Sequence, residues 1–216
     1  MPNSKTALKT DENPSRSVEV FTEYAIKNNL NISGNMLEPL CGCGLNGIVF
    51  ARMNVNFFGL DPVMARLKEF QAKASFENLL GNVHLYNQDA VRTFPFEDNF
   101  FDFVLDISTS STLIKDADLI SYSSEITRVL KPGGRLMISY FSRDDGGLKK
   151  PKKSPSPNIF NSKMTNEPLR VFSPPDFREI YNLKLIPRFQ TKVEYEETVG
   201  RKRLNRKLFV MILEKF

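Results

Sequence analysis

The sequence predicts one α/β domain, a doubly wound and mostly parallel seven-stranded sheet that ends in an antiparallel C-terminal strand pair. Three observations predict it. At 216 residues the chain can bury one good core and is too short for two ordinary domains with a linker. Short apolar runs alternate with helical patterns through residue 140, as parallel strands joined by crossover helices do. The last two apolar segments follow one another without a helix between them, as paired antiparallel strands do.

Residues 1–16 mix Lys, Asp, Glu, Asn and Pro, read as a flexible lead-in, and lack the apolar stretch of a signal peptide. The domain then runs over 17–216. From Ser17 to Asn29, Val18, Phe21, Ala25 and Leu30 fall at roughly helical spacing behind a serine cap. Strands are expected at Asn35 to Glu38, Asn56 to Leu60, Val83 to Tyr86, Phe101 to Leu105 and Arg135 to Tyr140. Between them, Val63, Leu67, Phe70 and Ala74 form one apolar helical stripe, and Leu119, Ile126, Val129 and Leu130 form another. The second stops at Lys131-Pro132-Gly133-Gly134, where proline and glycine end helices. From 143 to 170 the pattern gives way to a basic insertion with Lys149, Lys150, Lys152, Lys153 and a Ser-Pro-Ser-Pro run, a functional lid or a disordered connection. A short helix at Pro174 to Asn182 and strands at Leu185 to Tyr195 and Leu208 to Phe216 complete the chain, which holds no internal repeat.

An apolar fraction of 41% and a charged fraction of 25% exclude wholesale disorder, and no apolar run reaches the ~18 residues of a spanning helix. A cytoplasmic location without membrane association is expected. The two cysteines, Cys41 and Cys43, stand one residue apart, poorly placed for a disulfide, and with a single histidine they make no zinc set; no metal site is expected. Residues 143–216 hold 17 of the 30 Lys and Arg but only 9 of the 25 Asp and Glu. That surplus suits an anionic partner or a solvated face.

In open parallel sheets the ligand site lies at the carboxyl ends of the strands, where loops diverge and helix N-termini converge. The first four strands each deliver an acid to that edge: Glu38, Asp61, Asp89 and Asp106. Structural duties compete with ligand binding. Asp61-Pro62 is also a helix start, and Asp89 and Asp106 can order their own turns. After the first strand comes Glu38-Pro39-Leu40-Cys41-Gly42-Cys43-Gly44-Leu45-Asn46-Gly47, in which Gly42, Gly44 and Gly47 satisfy G-x-G-x-x-G with Asp61 at a ribose-binding distance. That motif serves a nicotinamide enzyme as well as any other adenosine binder. Glu38 discriminates: a carboxylate beside the turn repels a pyrophosphate and favours a ligand with a sulfonium and an α-amino group.

With these residues in place the chain resembles the class I S-adenosylmethionine-dependent methyltransferases, whose fold is Rossmann-like. The resemblance spans about Met36 to Tyr140 and rests on five blocks in order: Met36 to Gly44, Phe58 to Pro62, Asn87 to Ala90, Phe94 to Asp106 and Val129 to Leu136. It implies that Glu38 and the backbone around Leu40, Gly42 and Gly44 hold the methionine part of S-adenosylmethionine and that Asp61 holds the ribose hydroxyls. It further implies that Pro62, Asp89 and Ala90 hold the adenine and that Asp106 lies beside the methionine moiety. One departure stands out: Leu40 occupies the place of the family's first glycine, which is expected to narrow the turn.

Methyl transfer from a sulfonium needs chiefly an acceptor held in line with the methyl group, so a dedicated base is optional. His84 lies about 16 Å from the binding edge, five residues before Asp89, and reads as a strand residue. The Asn/Asp-Pro-Pro-Tyr/Phe signature of many amino-group methyltransferases is absent, with Asp106-Ile107-Ser108-Thr109 in its place. The acceptor, a small molecule or a protein side chain, is expected to meet Ser108 to Leu113, the first helix and the 143–170 insertion. Phe21 and Tyr24 suit such a pocket or the core. Arg201, Lys202, Arg203, Arg206 and Lys207 suit a nucleic acid or, twice as readily, a solvated turn. An NAD-dependent oxidoreductase and a catalytically silent methyltransferase-like binding protein stay open beside the methyltransferase.

Overall fold

The computed structural model describes residues 14–152, 156–181, 184–200 and 202–216. Most of the lead-in, together with Lys153, Asn182 and Arg201, lies outside them. Helix α1 (Arg16–Lys27) opens the domain, with Ser15 as its N-cap. There follow β1 (Asn35–Pro39), α2 (Leu45–Arg52), β2 (Asn56–Leu60), α3 (Met64–Phe76), β3 (Val83–Tyr86) and β4 (Phe101–Ile107). After the one-turn α4 (Thr109–Thr112) and α5 (Asp116–Val129) comes β5 (Leu130–Phe141). The strands run in the order β3-β2-β1-β4-β5 and pair in parallel. The order reverses at β1 and β4, so the crevice lies beyond the carboxyl ends of those two strands.

Both faces of the sheet are covered, and neighbouring residues point to opposite sides as a pleat requires. Met36, Phe103, Leu105 and Met137 bury toward Phe21 of α1, Phe50 of α2 and Phe70 of α3. Their neighbours Leu37, Val104, Leu136 and Ile138 bury toward Tyr122 and Ile126 of α5. Phe21 is fully buried between Phe50 and Phe103, and Tyr24 packs on Phe189, so this aromatic pair belongs to the core.

The 143–170 insertion departs most from expectation. Of the two expectations, a functional lid or a disordered connection, its described residues depart from the second: they hold a small antiparallel sheet of β6 (Leu148–Lys149), β7 (Ile159–Ser162) and β8 (Pro168–Arg170). These strands are two to four residues long, too short for an alternating pattern to register in sequence. The Ser162 hydroxyl fixes the second turn, accepting from the Met164 and Thr165 N–H groups.

Helix α6 (Pro174–Ile180) leads to β9 (Leu185–Val199), which pairs antiparallel with β10 (Lys202–Lys215), itself antiparallel to β5. Both strands reach further toward the turn than sequence suggested. Only Leu208–Glu214 of β10 pair with β5, so Lys202 to Lys207 and their partners on β9 form a two-stranded ribbon that overhangs the carboxyl edge. Arg206 is therefore no solvated turn residue: it is 7% exposed within that ribbon. Among the described residues, no helix is long and apolar enough to cross a membrane.

Candidate functional site

Glu38 is next to last in β1, with its side chain buried. Its Oε1 accepts from Asn46 Nδ2 at 2.7 Å, while Oε2 is buried with no donor. Asn46 also accepts from the Ser15 N–H at 2.8 Å, so one amide joins the start of α1 to the end of β1. Burial, with Asp106 and Asp61 nearby, pushes the Glu38 carboxyl up from 4.5 to about 8. Asp106, buried in β4, accepts from the Ser110 N–H at 3.1 Å through Oδ1, and its Oδ2 has no donor. Desolvation raises its carboxyl from 3.8 to about 6, against the lowering pull of Ser110 and Tyr122.

The turn from β1 into α2 takes three consecutive left-handed steps at alternate residues. Leu40 has φ 58°, Gly42 φ 57° and Gly44 φ 79°. For Leu40 this costs about 1–2 kcal/mol. The leucine thus adopts the backbone a glycine would, and its side chain packs on the core beneath α5. Gly44 has no alternative residue, because a Cβ there would lie 2.1 Å from the Phe70 ring. At Gly42 a Cβ would meet nothing within 4 Å, so the backbone there borders open space.

Asp61, fully buried after β2, holds this turn from the other side. Its Oδ2 accepts from the Gly42 N–H at 3.1 Å and lies 3.6 Å from Arg66 Nη1. Its Oδ1 accepts from the Val63 N–H at 2.8 Å. This corrects the expected helix start: α3 begins at Met64 with Val63 as N-cap, and Pro62 lies before it. The carboxylate is turned toward the glycine turn and its own two-residue loop rather than toward the first turn of the helix. Cys41, wedged against Gly59 within reach of Glu38 and Asp61, has a buried thiol pushed well up, a packing role.

Asp89 lies three residues past β3, exposed, with Oδ1 accepting from the Val91 N–H at 3.2 Å, while Ala90 is buried. The loop is tied to the site through the Asp61 carbonyl, which accepts from Gln88 N and Asn87 Nδ2. The structure therefore gathers Glu38, Asp61 and Asp106 into one cluster and leaves Asp89 at its rim. His84 stacks on Phe58 within the sheet, with ring centroids 4.6 Å apart.

Two cavities flank the glycine turn. One of about 530 Å³ lies between Gly42, Cys43, Asn46, the start of α1 and Glu196 and Glu197 of the ribbon. The other, about 310 Å³, lies between Leu40, Ser108, Thr109 and the small sheet. Thr109 ties the two strand ends together, its hydroxyl donating to the Pro39 carbonyl at 2.8 Å. A further cavity of about 470 Å³, beside Asn99, Arg128 and Lys215, is lined by none of the strand-end carboxylates. Sequence reasoning missed Asn46 and the small-sheet wall. Asn46 was legible as a polar residue in the first turn of α2, eight positions after Glu38.

Residues 36–134 match the family model of a methyltransferase domain. The sequence matches no curated protein. The fold is similar to a SAM-dependent methyltransferase of Methanosarcina mazei, with 19% identity, a TM-score of 0.70 and coverage of 88% of this chain and 96% of that one. It is similar to a protein of Pyrococcus horikoshii OT3 at 18% identity and TM-score 0.70, covering 98% and 97%. A third neighbour is the Burkholderia thailandensis 1,6-didemethyltoxoflavin-N1-methyltransferase, whose structure holds that compound and S-adenosylhomocysteine, at 19% identity and TM-score 0.66, covering 95% and 80%. Residues 36–134 thus match a methyltransferase domain, and the chain as a whole shares the fold of these neighbours.

Proposed function

We propose that the chain transfers a methyl group from S-adenosylmethionine to a small molecule or a protein side chain. The observation that carries this reading is the buried Glu38 Oε2, an acceptor with no donor, at the end of β1 beside a turn whose Gly42 borders open space. A buried carboxyl oxygen without a partner costs about 1–3 kcal/mol or more, and a cationic ligand that donates to it removes that cost. A pyrophosphate supplies no donor there, so nothing in the site favours the NAD-dependent alternative. No observation favours a silent binding protein either, since Leu40 preserves the path of the turn.

In this reading Glu38, with the backbone at Leu40, Gly42 and Gly44, holds the methionine part and Asp106 stands beside it. Asp61 holds the ribose, and Pro62, Asp89 and Ala90 border the adenine. Bound there, the cofactor supplies a methyl group on a positively charged sulfur. The chain's own part is to fix the acceptor in line with that methyl group and to keep water out, which can supply much of the rate enhancement. Asp61 preorganises the turn by holding the Gly42 and Val63 N–H groups.

Calorimetric titration with S-adenosylmethionine, S-adenosylhomocysteine and NAD tests the reading. Saturable binding of both sulfur nucleosides is expected, weakened roughly 100-fold in Asp61→Ala, the cost of about 2–3 kcal/mol in charge-assisted hydrogen bonds. Binding of NAD alone, or of none, contradicts it.

A further inference from the structure

The cavity of about 310 Å³ beside Leu40 sits at the small end of ligand-site sizes. Its walls are Leu40, Ile107 and Phe141 on the side of the main sheet and Leu148, Met164 and Leu169 on the small sheet. Hydroxyls of Ser108, Thr109, Thr112, Ser162 and Thr165 dot that surface. Arg206 is the one charged residue lining it among those described, and its charge is already met. Arg206 Nε donates to both Asp145 carboxylate oxygens at 3.1–3.2 Å, and Nη1 donates to Glu197. Among the described residues, no carboxylate, histidine or lysine lines the cavity to take a proton.

The wall is held rigid. Asp145 Oδ1 accepts from the Gly147 N–H and Oδ2 from the Lys207 N–H, which pins the small sheet to the ribbon. Arg170 donates to the Leu113 and Ile114 carbonyls and to Asp116, which pins β8 to the loop after α4. Met164, 40% exposed, stands at the rim with the exposed Thr112 and Thr165.

Resting on the methyltransferase reading, we propose that this cavity receives the methyl acceptor. The acceptor is a small, uncharged, largely apolar molecule whose nucleophilic atom, a thiol sulfur or a heteroaromatic ring nitrogen, brings its own lone pair. The chemistry narrows by elimination. An alkyl amine, like the side chain of lysine at about 10.4, is protonated at neutral pH, and a phenol, at about 10, needs a base. A thiol near 8.5 is a few per cent ionised without help, and a ring nitrogen with a pKa below about 6.5 is free. In the transfer, the acceptor's lone pair forms the new S–C or N–C bond. The bond from the donor sulfur to methyl breaks, its electron pair stays on that sulfur, and a neutral thioether leaves. The proton of a thiol passes to water before the transfer, and a ring nitrogen becomes a methylated cation.

The full chain with S-adenosylmethionine is assayed by mass spectrometry against thiophenol, benzyl thiol and quinoline, with phenol, benzylamine, a mixed peptide pool and total RNA as competing acceptors. Methylation of the thiols, of quinoline or of both is expected, and the pattern identifies which nucleophile the cavity takes. With the two thiols, the midpoint of the pH–rate profile moves with the pKa of the thiol, because no group of the protein sets it. Met164→Trp and Leu169→Glu each raise the acceptor KM at least tenfold while S-adenosylhomocysteine affinity stays within twofold. If S-adenosylhomocysteine itself fails to bind, the methyltransferase reading falls, and this inference with it. If it binds but methyl passes to phenol, benzylamine or peptide, or to none of the probes, this inference alone is overturned, whereas transfer to RNA overturns the proposed acceptor class with it. A pH midpoint that is the same for both thiols overturns it too.

Discussion

Beyond β1, β2 and β4 the sheet buries three carboxylates, two of which keep an oxygen without a donor. Along the same edge, beyond β5, the 310 Å³ cavity presents one cation that Asp145 and Glu197 already satisfy. The first region keeps unmet charge demand inside the protein, and the second leaves none. A cationic cofactor suits the one and an uncharged acceptor suits the other, so two ligands can be sorted by charge within a few residues of each other.

Breaking the closed network produces the largest effect. Arg206→Met leaves the Asp145 carboxylate buried without its cation, which costs about 3–5 kcal/mol and lowers the melting temperature by roughly 10 °C. Thermal denaturation checks this, and a drop under 2 °C would show that the ribbon and small sheet do not depend on the clamp. On the cofactor side the strain is steric and local. Gly44→Ala drives a methyl group into Phe70 and costs about 2–4 kcal/mol. Gly42→Ala meets only backbone strain of about 1–2 kcal/mol, yet weakens cofactor binding more than tenfold by entering the open space. Equal destabilisation by the two alanines would erase the distinction.

Glu38 gives a smaller, pH-dependent effect. Its folded carboxyl titrates at about 8 and binds its proton more tightly than the unfolded chain at about 4.5. The stability it contributes is therefore full below pH 4.5 and is lost as pH rises through 8. Glu38→Gln, in protein free of cofactor, should be more stable than the parent by about 1–3 kcal/mol at pH 8 and no more stable at pH 4.5. Melting curves at the two pH values decide it. The smallest change is expected from Leu40→Gly. Relief of the left-handed strain offsets lost packing and added chain entropy, so denaturant unfolding should shift by less than about 1 kcal/mol.

The two regions also differ in how far the sequence reveals them. Glu38, Asp61 and the glycine turn were legible because each stands within a few residues of a strand end, and the parallel sheet brings strand ends to one edge. Asp89 and Asp106 were legible in place, though not in their difference: one lies exposed in a loop at the rim and the other is buried within β4. The helical reading of Asp61-Pro62 failed because the carboxylate's partner, the Gly42 N–H, lies 19 residues away. The apolar cavity was hidden for a similar reason. Its walls come from strands of two to four residues and from Arg206, held by Asp145 61 positions away with no shared pattern between them. The lysines of the insertion drew attention to solvent, while Leu148 and Ile159 made the buried side.

The most direct test of the central claim is calorimetric titration of S-adenosylmethionine at pH 7 in two buffers of different ionisation enthalpy. The account predicts that binding a cationic ligand beside Glu38 expels up to about one proton, that affinity rises from pH 6 to pH 8, and that Glu38→Gln abolishes most of the release. Binding with no proton release, unchanged in Glu38→Gln, would mean that the β1 carboxylate does not hold the cofactor's charge.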